Sequence, residues 1–202
     1  MYDLQLQFKD LKLIDRDFFR RNPVDIASEL LGKVILRRFE NKVLAGRIVE
    51  LEVYLGELDQ AAHSYIGKTN RNSVLFGDAG YAYVHSIHKY FCMDIVCDVE
   101  NIPSSILIRA VEPLVGINIM KANRNTSDLY KLTSGPGRFC QAFGIDKSLN
   151  GEDVCNNTSK ISICSDSINT KYEILNSKRI GISKSTELPL RYYIKDNKYV
   201  SK

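Results

Sequence analysis

The sequence predicts an α+β fold with mostly antiparallel strand pairing, and two observations lead there. Stretches of alternating apolar and polar residues, rich in Val, Ile, Tyr and Phe, come in runs that few helical segments interrupt. Strands and helices do not alternate one for one, as a doubly wound parallel sheet requires. The chain has 202 residues, 44% hydrophobic and 26% charged. That is enough for a full core in a single domain spanning 1–202.

The elements follow in order. Asn22-Pro23-Val24-Asp25 is a helix start, with Asn22 as cap and Pro23 in the first turn. The helix turns Ile26, Leu30 and Leu31 inward and stops at Gly32. Lys33 to Phe39 and Val43 to Leu55 form an antiparallel pair through Glu40-Asn41-Lys42. On the second strand Val49, Leu51, Val53 and Leu55 share one face, and Glu50, Glu52 and Tyr54 share the other. Gly56 closes it, and Ala61-Ala62-His63-Ser64 follows an acidic turn. Polar loops at 69–72 and 76–80 lead to strands at 81–87 and 91–96. A strand at 106–111 passes through Glu112 and Pro113 into a helix at 114–120. Ser134 or Gly135 starts a further helix with Arg138 in its early turns. A glycine-rich helix start exposes backbone N–H groups that can seat an anion, though it also serves simply to begin a helix. Short strands at 161–163, 172–175, 180–182 and 190–194 complete the reading.

Composition narrows the function classes. The longest apolar runs, such as Ile106-Leu107-Ile108, are too short to cross a bilayer. Met1-Tyr2-Asp3-Leu4 lacks the basic-then-apolar pattern of a secretory signal. The five cysteines include no C-x-x-C pair, so reduced thiols in a cytoplasmic protein are expected. The net charge of +4 is concentrated late: residues from 156 onward carry nine Lys or Arg against four acids. A basic terminal segment suits a polyanion, and equally a solvated surface. All three histidines, His63, His85 and His88, follow the carboxylate-bearing strand within a short span. Carboxylates and histidines gathered in that way mark a site without naming its reaction.

Gly46-Arg-Ile-Val-Glu-Leu-Glu-Val-Tyr-Leu-Gly followed by Ala61-Ala-His-Ser resembles the alkyladenine (3-methyladenine) DNA glycosylase family. So do Tyr90-Phe-Cys-Met, Leu107-Ile-Arg-Ala-Val-Glu-Pro-Leu and Leu132-Thr-Ser-Gly-Pro-Gly-Arg-Phe-Cys-Gln-Ala-Phe-Gly-Ile. Arg179-Ile-Gly-Ile and Leu190-Arg-Tyr-Tyr-Ile match as well. These collinear motifs cover about 17–200. The resemblance implies a single mixed domain with a curved, mostly antiparallel sheet flanked by helices. It also implies a monofunctional enzyme of base excision repair. Such an enzyme flips an alkylated or deaminated purine (3-methyladenine, 7-methylguanine or hypoxanthine) from duplex DNA and hydrolyses its N-glycosidic bond.

On this resemblance Glu52 activates the water, Arg109 helps hold it, and the Ile180 backbone carbonyl is a further partner. Glu50 shares the predicted face and is structural. Tyr54 and His63 are walls of the base pocket, where an electron-rich ring stacks on a cationic purine. His85 and Asp94 also fall in that pocket, and both depart from the family pattern. His85 replaces a stacking tyrosine, and Asp94 replaces an asparagine that discriminates against normal guanine. His88 replaces the tyrosine wedged into the gap the base leaves; the segment is one residue short, so its register carries that offset. Arg71, Ser134, Gly135, Gly137 and Arg138 are expected on DNA. The expected partner is double-stranded DNA with a damaged purine, bound by a monomer without membrane contact, cofactor or metal. The expected location is the cytoplasm, at the nucleoid in a bacterium.

Two other classes compete. His85-x-x-His88 with His63 supplies enough ligands for metal-dependent hydrolysis, but on a strand that spacing points the pair to opposite faces. A non-catalytic or altered-specificity nucleic-acid-binding member of the same fold is the alternative that the changes at His85 and His88 favour. The Gly135-Pro-Gly137 run alone would also suit a helix-hairpin-helix glycosylase, yet no lysine falls at a matched catalytic position.

Overall fold

The computed structural model describes residues 11–166 and 170–201; the Met1–Leu4 stretch lies outside them. Its centre is one strand, Lys42–Tyr54 (β3), long enough to serve three partners. Along one edge its first half pairs with Val34–Phe39 (β2), and its second half with Arg191–Ile194 (β9) at Glu50, Leu51 and Glu52. Along the other edge it pairs with Ser104–Val115 (β6). Beyond β6 lie Tyr90–Cys97 (β5) and Ala82–Ile87 (β4). Beyond β2 lie Ile161–Ser165 (β7) and Lys12–Leu13 (β1), while Ile174–Ser177 (β8) pairs with β9. Every pairing is antiparallel, as the run of strands predicts.

Helices Arg16–Phe19 (α1), Pro23–Leu30 (α2), Ile117–Arg124 (α3) and Pro136–Phe143 (α4) supply the rest of the core. The Asn22 side chain accepts from the Val24 amide and caps α2, whose Ile26 and Leu30 are fully buried. Each such side chain contributes roughly 1.5–3 kcal/mol by leaving water. They pack with Val49, Leu51 and Val53 of β3, Ile106 and Ile108 of β6, and Phe139 and Phe143 of α4. One face of the sheet is therefore consumed by the core. The other face, carrying Glu50, Glu52 and Tyr54, is left for the site.

Two expected elements differ. The strand at 106–111 does not yield to a helix at Glu112–Pro113; β6 runs on to Val115, with Pro113 opposite Gly46. A register shift between Ala45 and Gly46 falls there, and a residue without an N–H is tolerated where the ladder is already irregular. The helix begins only after Gly116, at φ 80°. Residues 180–182 form a bend rather than a strand. Gly181 is left-handed at φ 77°, and the Ile180 amide is bonded to a side chain instead of a ladder.

Candidate active site

Four neighbouring strands build the floor of the site. Cross-strand pairs set Tyr83 beside Asp94, Asp94 beside Leu107, Leu107 beside Glu52, and Ser105 beside Tyr54. Paired residues project to the same face, so one row of the sheet carries Glu52, Leu107, Asp94 and Tyr83 side by side. Alternation adds Tyr54, Arg109, Cys92 and His85 from the same strands. Above this floor is a cavity of about 540 Å³, lined by Tyr54, His63, Tyr83, His85, Asp94 and Arg109, with Ile180 and His88 at its walls. That volume is in the range of small-molecule sites.

Glu52 lies one layer beneath the lining and is 0% exposed. Its Oε1 accepts from the Ile180 amide at 2.7 Å and pairs with Arg109 Nη1 at 3.2 Å, and Tyr54 Oη donates to Oε2 at 3.0 Å. Those three residues line the cavity. What reaches Glu52 from Ile180 is its N–H, a different group from the carbonyl expected on the water. Burial pushes the Glu52 carboxyl above its usual range, against the pull of Arg109, the Ile180 amide and Tyr54. Burial and the Glu52 charge likewise push the Tyr54 phenol up.

Arg109 owes its aim to an irregularity in the sheet. Glu50 pairs with Ala110 and Leu51 with Ile108, which leaves Arg109 without a partner of its own. Bulges of this kind re-aim side chains beside sites. Arg109 Nε is then held by Glu50 Oε1 at 3.0 Å. Glu50 also takes Arg191 Nε at 2.7 Å, and the Ser201 amide and hydroxyl at 2.6 and 2.7 Å. The residue read as structural is therefore the anchor of Arg109.

His85 and Asp94, two separate departures in the sequence, meet in space: Nε2 and Oδ2 are 2.9 Å apart, both residues about 95% buried. His85 stacks on Tyr83 at 5.0 Å and meets His63 edge-on at 4.4 Å. His63 Nδ1 is 3.1 Å from the Tyr83 hydroxyl, and desolvation together with the nearby His85 lowers its pKa. Burial, reinforced by Asp94, pushes the Tyr83 phenol up to about 12. Ile87 pairs with Tyr90 across a two-residue turn, His88-Lys89, with His88 left-handed at φ 53°. His85 is inside, and His88 is exposed at the tip. His85 and His88 do not converge, and among the described residues no three His, Cys, Asp or Glu gather as metal ligands.

A second groove, sharing Tyr90, Arg109, Pro136 and Gly137 with the cavity, is lined by Arg124, Lys131, Arg138 and Lys198 along with Ser134 and Gly135. Gly135 caps α4 at φ 139° with no side-chain cap, so the first amides of that helix stay open. Gly137 lets the helix start approach the hairpin closely: a Cβ there would sit 3.0 Å from the Tyr90 Cβ, so Tyr90 would have to give by a few tenths of an ångström. Arg71 is outside both linings but close enough to act on His63 and Tyr83, and it donates to the Ser86 carbonyl on the hairpin.

The family model for methylpurine-DNA glycosylase (MPG) matches residues 17–198. The chain belongs to the methylpurine-DNA glycosylase family. As a member of that family it is a DNA glycosylase, a base excision repair enzyme whose substrate is DNA. Similar chains come from Koribacter versatilis, Desulfitobacterium hafniense and Methanoculleus marisnigri, at 45%, 41% and 42% identity. The matches cover 93%, 95% and 92% of this chain and 92%, 99% and 96% of those relatives. All three carry the name "Putative 3-methyladenine DNA glycosylase". Among the described residues of this glycosylase no helix is long and apolar enough to cross a membrane.

Several residues around this cavity and groove escape a sequence reading. Tyr83 sits two before His85 on one strand, and that spacing is the signal that could have found it. Arg124, Lys131 and Lys198 come from separate segments, and only the fold gathers them. Asp59 and Arg179, 120 residues apart, are both fully buried and paired. Arg179 lies 4.6 Å over the Tyr54 ring and directly precedes Ile180.

The Tyr54 hydroxyl supplies one testable effect. It is one of the groups that pull the Glu52 carboxyl down, so Tyr54→Phe removes that pull and keeps the ring. The acid limb of the excision rate is expected to move to higher pH in Tyr54→Phe. A pH–rate profile checks it, and an unmoved limb would show that the hydroxyl does not act on Glu52.

Proposed function

We propose that the cavity receives a damaged purine flipped out of duplex DNA and that Glu52 directs water at the sugar carbon that carried it. The observation that carries this reading is a buried carboxylate whose partners Tyr54, Arg109 and Ile180 all line a purine-sized cavity. Water adds to the anomeric carbon, the glycosidic bond breaks, and the purine leaves with the bonding electrons. The carboxylate takes a proton from the water, and its charge stabilises the oxocarbenium-like sugar. Arg109 is the second group on that water. The Tyr54 hydroxyl takes one lone pair of Oε2 and leaves the other for water, so Tyr54 orients the carboxylate as well as stacking on the base.

Tyr54 and His63 face the flipped base, together with His85 and Asp94. A base–aromatic stack contributes about 1–3 kcal/mol, enough to offset much of the unstacking cost. His88 at the hairpin tip, flanked by Ile87 and Tyr90, fills the gap left in the duplex. The basic groove follows the phosphates: Arg138 and the open amides at Gly137 form one anion seat, with Ser134 and Gly135 shaping it. Arg71, held on the hairpin by the Ser86 carbonyl, contacts DNA beside it. The enzyme acts as a monomer on alkylated or deaminated purines, 3-methyladenine among them.

Duplexes carrying one lesion each test this. The expected result is release of the free base and an abasic site, with strand cleavage only after alkali. Cleavage without alkali would refute the monofunctional mechanism, and no release from any of 3-methyladenine, 7-methylguanine or hypoxanthine would refute the substrate class.

A further inference from the structure

Four acidic residues are buried among the described residues: Glu50, Glu52, Asp59 and Asp94. Guanidinium groups meet three of them, Arg109 and Arg191 at Glu50, Arg109 at Glu52, and Arg179 at Asp59. The side chain paired with Asp94 is His85, Nε2 to Oδ2 at 2.9 Å. Arginine is always charged, whereas histidine is charged only when protonated, so no permanent cation answers Asp94.

The second oxygen of Asp94 is open. Oδ1 accepts from no described residue, yet it is not among the polar atoms sealed away without a partner. The side chain is 7% exposed and the residue lines the cavity, so that oxygen faces the space inside. The charge is felt by other lining groups: burial, and after it Asp94, pushes the Tyr83 phenol and the Cys92 thiol up to about 12. Two cations of fixed charge share the lining, Arg109 and Lys184. Arg109 is already held by Glu50 and Glu52, and Lys184 is exposed, where solvent and salt screen it.

The sheet also fixes which end of a base would feel this oxygen. Glu52 and Asp94 flank Leu107 in one row, two strand spacings or about 10 Å apart. A purine whose sugar stands near Glu52 therefore extends its six-membered ring toward Asp94.

We propose that Asp94 selects flipped purines by charge, favouring a cationic alkylated base over a neutral base of the same shape. The inference rests on the reading of the cavity as a base site. Alkylation at N3 or N7 leaves a purine nucleotide positively charged, and a carboxylate in a water-poor cavity attracts that charge across several ångströms. An asparagine there would carry none. Asp94 thus ranks 3-methyladenine and 7-methylguanine ahead of neutral hypoxanthine in binding, and the substitution adds a selection instead of only removing an amide.

The test uses binding by the full-length Glu52→Gln protein, so that no base is released during the measurement. Two bases are compared in one duplex sequence at about pH 8, above the range in which histidines ordinarily take a charge. One is 7-methyladenine, a cation; the other is 7-deaza-7-methyladenine, its neutral counterpart, each on a 2′-fluoro sugar that resists hydrolysis. They share shape and 6-amino group and differ in charge. The cation is expected to bind more tightly, and adding Asp94→Asn should cut its advantage about tenfold while the neutral base binds as before. Equal affinity for the two bases in the parent overturns the proposal without recourse to that variant. An advantage unchanged in Asp94→Asn also overturns it, as does an equal loss for both bases, which would mark Asp94 as merely structural. Failure of the wild-type enzyme to release any lesion would refute the proposed reaction and leave this binding ratio readable.

Discussion

Glu52→Gln is expected to lower base excision by about 10²–10⁴-fold while leaving affinity for lesion duplex near that of the parent. Glutamine keeps an oxygen for the Ile180 amide and a polar group for the Tyr54 hydroxyl, and Arg109 keeps Glu50 as counter-charge. On the proposed mechanism, what is lost is the negative charge that orients water and meets the developing cation. The stability effect should have the opposite sign. Burial raises the folded-state pKa of Glu52 above its unfolded value, so its contribution to stability is full below the unfolded pKa. That contribution is lost as pH rises through the folded pKa. At neutral pH the ionised carboxylate is therefore a burden on the fold, and Glu52→Gln should melt no lower than the parent, as expected where stability is sacrificed to chemistry. Single-turnover excision and thermal melting check the two halves. Parent-like excision would remove Glu52 from the mechanism.

Arg179→Met is expected to cost the largest stability of any single change, about 3–5 kcal/mol, because it strands Asp59 as a buried unpaired charge. Both partners are 0% exposed at the side chain. Arg179 donates to both Asp59 oxygens and to the Val53 carbonyl. For a chain of this length the loss corresponds to a melting temperature about 10 °C lower. Excision should fall too, since the guanidinium backs the Tyr54 ring and its neighbour Ile180 holds Glu52. Burial opposes ionisation of Asp59, yet the Arg179 hydrogen bonds and the Ala61 and Leu55 amides leave its pKa below the ordinary value. The sign follows: this stabilisation is present above the unfolded carboxylate value and is lost as pH falls through the folded one. Asp59→Asn should therefore melt lower at neutral pH and lose less on acidification. Melting curves from neutral to acid pH check both variants, and a parent-like melt for Arg179→Met would show the pair to be expendable.

Alternation made the faces of β3 legible in the sequence: Val49, Leu51 and Val53 in the core, Glu50, Glu52 and Tyr54 on the site side. The helix capped by Asn22 was legible for the same local reason. The helix expected at 114–120 was misplaced because Pro113 reads as a strand breaker until its ladder irregularity is seen. The 180–182 segment looked extended because its apolar residues alternate, while a left-handed glycine and the pull of Glu52 decide its shape. In the site, sequence matching located His85 and Asp94 and treated them as two separate departures from the family pattern. That they touch is a property of strand register, and nine residues of sequence separation do not reveal it. The long-range partners, Arg191 and Ser201 on Glu50 and Arg179 on Asp59, were out of reach for the same reason.

The tie between Glu50 and Ser201 makes the site sensitive to a distant change. Arg109 is oriented by a carboxylate whose own bonds run to a residue 151 positions later. A substitution that displaces Ser201 is therefore expected to loosen the guanidinium beside Glu52 without touching the cavity.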